Sequence, residues 1–239
     1  QRNQRRLSDL LDIVEPEFSR GRIARLDEQK TLHRISIHRA LKMMSSSQLE
    51  AFNVMKASQN LRNRYGSTPF GRSCLAACQL IKAGVRCVEV TLNGWDTHIN
   101  NHELQQKQMA ILDPAMATLI EHLHEDKLLE HTLVLWGGEF GRDPRINLAD
   151  GRDHWPHGFT VAMAGGGITG GQVIGSTSPS PDFESSRPNK NITQPRNIAD
   201  IHSTVLQALG IDFQQEMYQP PVRPVPLSEG QVIKELIRS

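Results

Sequence analysis

The chain has 239 residues, and its 27 Lys and Arg against 26 Asp and Glu leave a formal net charge of +1. That near-neutral balance argues against a nucleic-acid protein held mainly by phosphate contacts, so no nucleic-acid partner is expected. No apolar run reaches the roughly 18 residues of a membrane span, and the three cysteines (Cys74, Cys78, Cys87) are too few and odd in number for a disulfide framework. With 38% hydrophobic residues recurring in periodic blocks, a packed core is expected rather than disorder.

Residues 1–60 read as a polar helical arm or insertion. Leu7, Leu10, Leu11 and Val14 keep helical spacing, as do Ile23 and Leu26 with Leu32 and Ile35 beyond, and Pro16 and Gly21 separate the two stretches. Ser46 or Ser47 is the expected N-cap of a third helix carrying Leu49, Phe52 and Met55.

Residues 61–239 read as an α/β core. Arg72 to Lys82 is an expected helix ended by Gly84, and Arg86 to Leu92 a β-branched strand. Residues 103–130 form a long amphipathic helix that Pro114 kinks or breaks. His131 to Trp136 is a strand of the buried parallel kind. Phe159 to Ala164 is another, opening into Gly165-Gly166-Gly167. That glycine run lacks the endings of phosphate-cradling loops and reads as a tight turn. Residues 176–196 form a surface loop, Asn197 to Leu209 a helix closed by Gly210, and Ser228 to Ile237 a short last helix. This alternation is the rhythm of a sheet with helices on both faces, where ligands gather at the carboxyl ends of the strands. The clusters WDTH, GGEFGR and GRDHWPH are therefore expected at one rim.

Those clusters carry the chemistry. If the segment is extended, Asp96 and His98, two apart, point the same way, and a carboxylate with an imidazole is a common ligand pair for zinc-like cations. Glu139 follows a strand end after two glycines, which allow close backbone approach. Asp153, His154 and His157 form a third group, with Pro156 restricting the backbone between them. The plainer alternatives are local: Asp96 or Asp153 capping a turn, His98 solvated in its loop, His154 packed on Trp155. Arg142 and Arg152 flank the rim and offer planar forks to an anionic group, or else pair with Asp143, Asp150 or Asp153. Cys74 and Cys78 share a helix face and read as core. His102, His122, His124 and His131 read as surface or packing residues and His202 as structural; His33 and His38 carry no functional role.

The stretches PFGRSCLAACQLIKAGVRCVEV, GWDTHINNHE, TLVLWGGEFGR, GRDHWPHGFTVAMAGGGITGGQVIG and DIHSTVLQALGID resemble the domain-of-unknown-function 1501 family over residues 60–212, and more weakly over the arm. That family is in turn similar to the alkaline phosphatase and sulfatase superfamily. The resemblance implies the C-terminal part of an alkaline phosphatase-like three-layer α/β/α sandwich with an N-terminal helical arm. It implies a divalent metal, zinc first, with calcium, magnesium or manganese as alternatives, held by Asp96 and His98 with His157 slightly favoured over His154. Where the superfamily strand ends in Asp-His, this chain has Gly138-Glu139. The superfamily's first strand, with its nucleophile, has no counterpart before residue 60. The resemblance therefore implies an N-terminal part of the same protein as a further partner, and, through the twin-arginine export signal common in the family, a periplasmic or secreted location.

The expected function is a metal-dependent hydrolase of phosphate or sulfate esters, with an anionic ester as substrate. Asp96, His98 and His157 would be ligands, Glu139 and Asp153 ligands or their supports, and Arg142 or Arg152 the anion grip. The alternatives are a non-catalytic binding or surface-assembly protein that keeps the fold, and a polyanion-binding module using the arginine-rich rim.

Overall fold

The computed structural model describes residues 32–44, 46–178, 180–182, 188–218 and 224–238. The expected helical positions from Leu7 to Leu26, with Pro16 and Gly21, lie outside the described residues. The chain divides into two compact units, Gln1–Asn53 and Val54–Ser239, where the expected boundary lay between residues 60 and 61.

In the first unit, α1 (Leu32–Met44) is followed by a 3₁₀ turn, Ser47–Phe52. Ser46 is its N-cap, the hydroxyl accepting the Gln48 N–H at 3.1 Å. The third helix expected here is thus a short tight turn, and Met55 falls in a separate turn, Val54–Lys56, in the second unit.

The second unit begins with a helical layer: α2 (Gln59–Tyr65), α3 (Pro69–Lys82) and α4 (Asn101–Glu125). Ser58 and Thr68 cap the first two, accepting the backbone N–H groups of Leu61 and Gly71, and Pro69 sits where a missing N–H costs nothing. The core between these helices is Tyr65, Cys74, Leu75 and Ala115, with Leu61, Phe70, Val90 and Leu119 packed against it. Pro114 lies inside α4 without ending it. Burial of Leu112 and Ala115 on either side offsets the lost backbone bond. The first residues of α4 are held by another loop: Asn100 and Asn101 donate their N–H groups to the carbonyls of Ala149 and Asp150.

The strands form small antiparallel ladders. β1 (Leu133–Trp136) pairs with β2 (Ala162–Gly165) in the register Leu133 to Gly165 and Trp136 to Ala162. β3 (Ser176–Thr177) pairs with β4 (Ile192–Thr193) inside the expected surface loop. After α5 (Ile198–Ala208), β5 (Glu216–Met217) pairs with β6 (Val225–Pro226). The fold is therefore mixed α/β, as expected, but β1 is antiparallel and half exposed rather than parallel and buried. Among the described residues the strands do not join into the single sheet of a three-layer sandwich.

Two further differences have simple causes. Arg86 to Leu92 keeps the alternation of a strand, with Val88, Val90 and Leu92 half-buried between exposed neighbours. It forms no ladder: among the described residues none of its N–H and C=O groups pairs with another backbone segment. Residues 228–237 are not a helix beyond the turn Lys234–Leu236. Their backbone donors are spent elsewhere, Gln231 N–H on Asp200 at 2.8 Å and Ile233 N–H on the Thr204 hydroxyl at 2.9 Å, and just beyond them Arg238 N–H meets the Gly167 carbonyl at 2.9 Å.

Candidate metal centre

Backbone hydrogen bonds bring the three polar clusters to one place. Arg152 N–H donates to the Thr97 carbonyl at 3.0 Å, and Ile99 bridges to Asp150, which fixes the WDTH loop beside residues 149–152. Asp143 N–H donates to the Asp153 carbonyl and Trp155 N–H to the Gly141 carbonyl, which fixes the GGEFGR exit beside residues 153–155. Both approaches need glycine. A Cβ at Gly151 would overlap the carbonyl of His98, and one at Gly141 the carbonyl of Gly158.

At the meeting point three ligand atoms form a near-equilateral triangle. His98 Nε2 lies 3.0 Å from Asp96 Oδ1, His154 Nε2 lies 3.2 Å from the same oxygen, and the two imidazole nitrogens are 3.1 Å apart. Two neutral imidazoles with facing nitrogens cannot both donate, so at least one lone pair points into this space. A tetrahedral ion with bonds of about 2.05 Å to N and O spaces its ligands at about 3.3 Å, and the triangle fits that spacing closely. Asp96, His98 and His154 can therefore hold a metal ion together. The expected alignment of Asp96 with His98, two residues apart, is present.

A second ring supports the triangle. His98 Nδ1 meets Asp153 Oδ1 at 3.1 Å, which fixes the ring and leaves Nε2 to the cluster. Asn147 Nδ2 donates to that same carboxylate oxygen at 3.2 Å and to the His98 carbonyl at 3.1 Å. Its own carbonyl accepts the N–H groups of Ala149 and Gly151, both at 2.9 Å. The Phe140 ring lies against His154, centroids 4.5 Å apart. Asn147 and Phe140 escaped the sequence reading, because both act on the ligand side chains rather than as zinc-type ligands and both sit in irregular loop.

Arg142 closes the cluster. Its Nη1 is 2.6 Å from Asp96 Oδ1 and 3.5 Å from His98 Nε2, and its Nη2 donates to Glu139 Oε1 at 3.0 Å. The Arg142 side chain is 15% exposed, while that of Asp96 is 62% exposed. Hydrogen bonds from His154, then Arg142, hold the Asp96 carboxyl below the ordinary aspartate range. His98, then Asn147, does the same to Asp153. Arg142 thus pairs with Asp96 and Glu139, and not with Asp143, Asp150 or Asp153, the partners weighed from the sequence. Asp143 pairs instead with Arg145.

The other sequence candidates fall around this centre in different ways. Glu139 reaches the cluster through Arg142 rather than by facing the imidazoles. Arg152 is turned to the carbonyl of Asp143 at 3.0 Å. His157 stands edge-on to Trp155, centroids 5.7 Å apart, and is not a member of the triangle, whose second imidazole comes from His154. Pro156 and the buried Trp155 turn the chain between the two histidines.

A family model described as a protein of unknown function, DUF1501, matches residues 1–237. No curated protein and no solved structure matches the chain. Among the described residues no helix is long and apolar enough to cross a membrane.

Proposed function

The chain belongs to the DUF1501 family of proteins of unknown function, and from that premise we propose that it is a metal-dependent hydrolase of phosphate or sulfate esters on an alkaline phosphatase- or sulfatase-like plan. The observation that carries this reading is the Asp96, His98 and His154 triangle with its carboxylate-backed histidine. Two nitrogens and one carboxylate oxygen suit zinc better than magnesium or calcium, which favour oxygen shells. Charge supports the same reading. Asp96, Glu139 and Asp153 are bonded into one network with Arg142, so with neutral imidazoles the network is doubly negative. One divalent cation balances it.

A cation held there supplies Lewis-acid polarisation of an ester oxygen and stabilises the charge that develops in the transition state. The protein's own groups do the rest. Asp153 keeps the proton of His98 on Nδ1, so that Nε2 remains a lone-pair donor. Arg142, anchored by Glu139, is positioned to release Asp96 to the cation and turn its fork to the phosphoryl or sulfuryl oxygens. The open face of the triangle gives an anionic ester access.

One observation favours a second reading. The Arg142 guanidinium already lies against Asp96, where it supplies a positive charge of its own. A binding protein that retains the site with arginine standing in for the metal has this arrangement too. Metal-stripped protein reloaded with zinc, manganese, magnesium or calcium and assayed on aryl phosphates and sulfates separates the two. The hydrolase reading expects activity that depends on the metal, disappears in His154→Ala and persists in His157→Ala. No metal uptake after loading, or equal activity with and without His154, defeats it.

A further inference from the structure

A second cluster of ligand-type side chains lies in the helical layer, apart from the Asp96 centre. Cys78 on α3, and His122 with Asp126 at the end of α4, bring Sγ, an imidazole nitrogen and a carboxylate oxygen within 4.8 Å of one another. Cys78 is wholly buried and His122 is 7% exposed. His122 Nδ1 meets the buried Tyr65 hydroxyl at 3.0 Å, and His122 Nε2 lies 3.1 Å from Asp126 Oδ2. Lys82 Nζ contacts that same oxygen at 2.8 Å, so both contacts fall on Oδ2.

We propose that Cys78, His122 and Asp126 form a zinc-class metal site that staples α3 to α4. A thiolate, an imidazole and a carboxylate select borderline and soft cations, and exclude the hard alkaline-earth ions that oxygen shells hold. Tyr65 fills the supporting role that ligand histidines require, fixing the ring through Nδ1 and leaving Nε2 for the cation. Around a tetrahedral ion sulfur and nitrogen ligands stand about 3.5 Å apart, so a group already within 4.8 Å closes on an ion by side-chain movement alone. Lys82, at the rim with 44% exposure, is the competing cation and leaves toward solvent when the metal enters. The site stands independently of the hydrolase reading and shares no residue with the Asp96 cluster.

The test uses the full metal-free chain titrated with cobalt(II), because a thiolate-to-cobalt charge-transfer band in the near ultraviolet reports sulfur ligation, and the Asp96 cluster contains no sulfur. The expected result is one equivalent producing that band, with the band lost in Cys78→Ser, kept in Cys74→Ser and Cys87→Ser, and kept in an Asp96→Asn, His154→Gln double variant. Zinc raises the melting temperature of the double variant, and adding Cys78→Ser to that double variant abolishes the rise. Lys82→Met, at the rim and outside the ligand set, keeps the core intact and is expected to tighten cobalt binding roughly ten-fold by removing a competing charge. Cobalt binding without the band, a band that survives Cys78→Ser, or unchanged affinity in Lys82→Met overturns the proposal.

Discussion

Arg142 Nη1 lies 2.6 Å from Asp96 Oδ1, so the guanidinium of a largely buried side chain rests on the carboxylate that also meets both imidazoles of the cluster. Arginine and a metal ion compete for that oxygen. Replacing Arg142 by Gln removes the competitor, and isothermal titration of the metal-free variant is expected to show tighter zinc binding than the parent. The same variant, once loaded, is expected to bind inorganic phosphate roughly ten-fold more weakly, since it loses the planar fork. Zinc binding weakened by the substitution would mean that the guanidinium organises the site rather than competing with the ion.

Asp153 acts on the metal only through His98. Asp153→Asn keeps the shape but offers His98 Nδ1 a weaker and differently oriented partner, which frees the ring to change tautomer. The expected loss in metal affinity is roughly 10- to 100-fold, with little change in thermal stability, measured by competition with a chromogenic chelator. Unchanged affinity would show that Asp153 merely neighbours the histidine.

Gly151 lets two loops touch. A methyl group there meets the His98 carbonyl, which is rigid backbone and cannot swing aside. Gly151→Ala is expected to cost about 1–3 kcal/mol by denaturant unfolding and to weaken metal binding in parallel, because the displaced carbonyl carries His98 with it. Stability lost without any change in affinity would uncouple the loop contact from the site.

Asp200 sets an acid limit on stability. Its carboxylate accepts the N–H groups of Gln231 at 2.8 Å and Asn197 at 2.9 Å, which hold its folded pKa below the ordinary value of 3.8. The sign follows: the unfolded chain takes up the proton first, so this stabilisation is fully present above 3.8 and is lost as pH falls through the folded value. Asp200→Asn is expected to cost about 1 kcal/mol near neutrality, at the low end because the carboxylate is partly solvent-screened. The gap from the parent should narrow on acidification, as melting curves between neutral and strongly acid pH would show.

Near neighbours in the chain were enough to read the local pieces and the residue types they offer. Periodicity, with the glycines just beyond Lys82 and Ala208, placed the ends of α3 and α5 closely, because such signals are written in near neighbours, while the Thr68–Pro69 start of α3 went unread and α4 ends five residues before the expected 130. The Asp96 and His98 pair was readable for the same reason, since side chains two apart in extended chain share a face. The tertiary structure decided everything that depends on which backbone lies beside which. β1 became antiparallel because β2 is its neighbour, Arg86 to Leu92 found no ladder among the described residues, and the last expected helix gave up donors to α5. The choice of His154 over His157 belongs to the same class. Both histidines sit in one short loop with equal chemistry, and only the pairing of residues 141–143 with 153–155 turns His154 toward Asp96 and His98 and leaves His157 on Trp155. Residue type is a local property. Convergence is a sum of backbone contacts between separate loops, residues 97–101 with 149–152 and residues 141–143 with 153–155, and no local pattern encodes it.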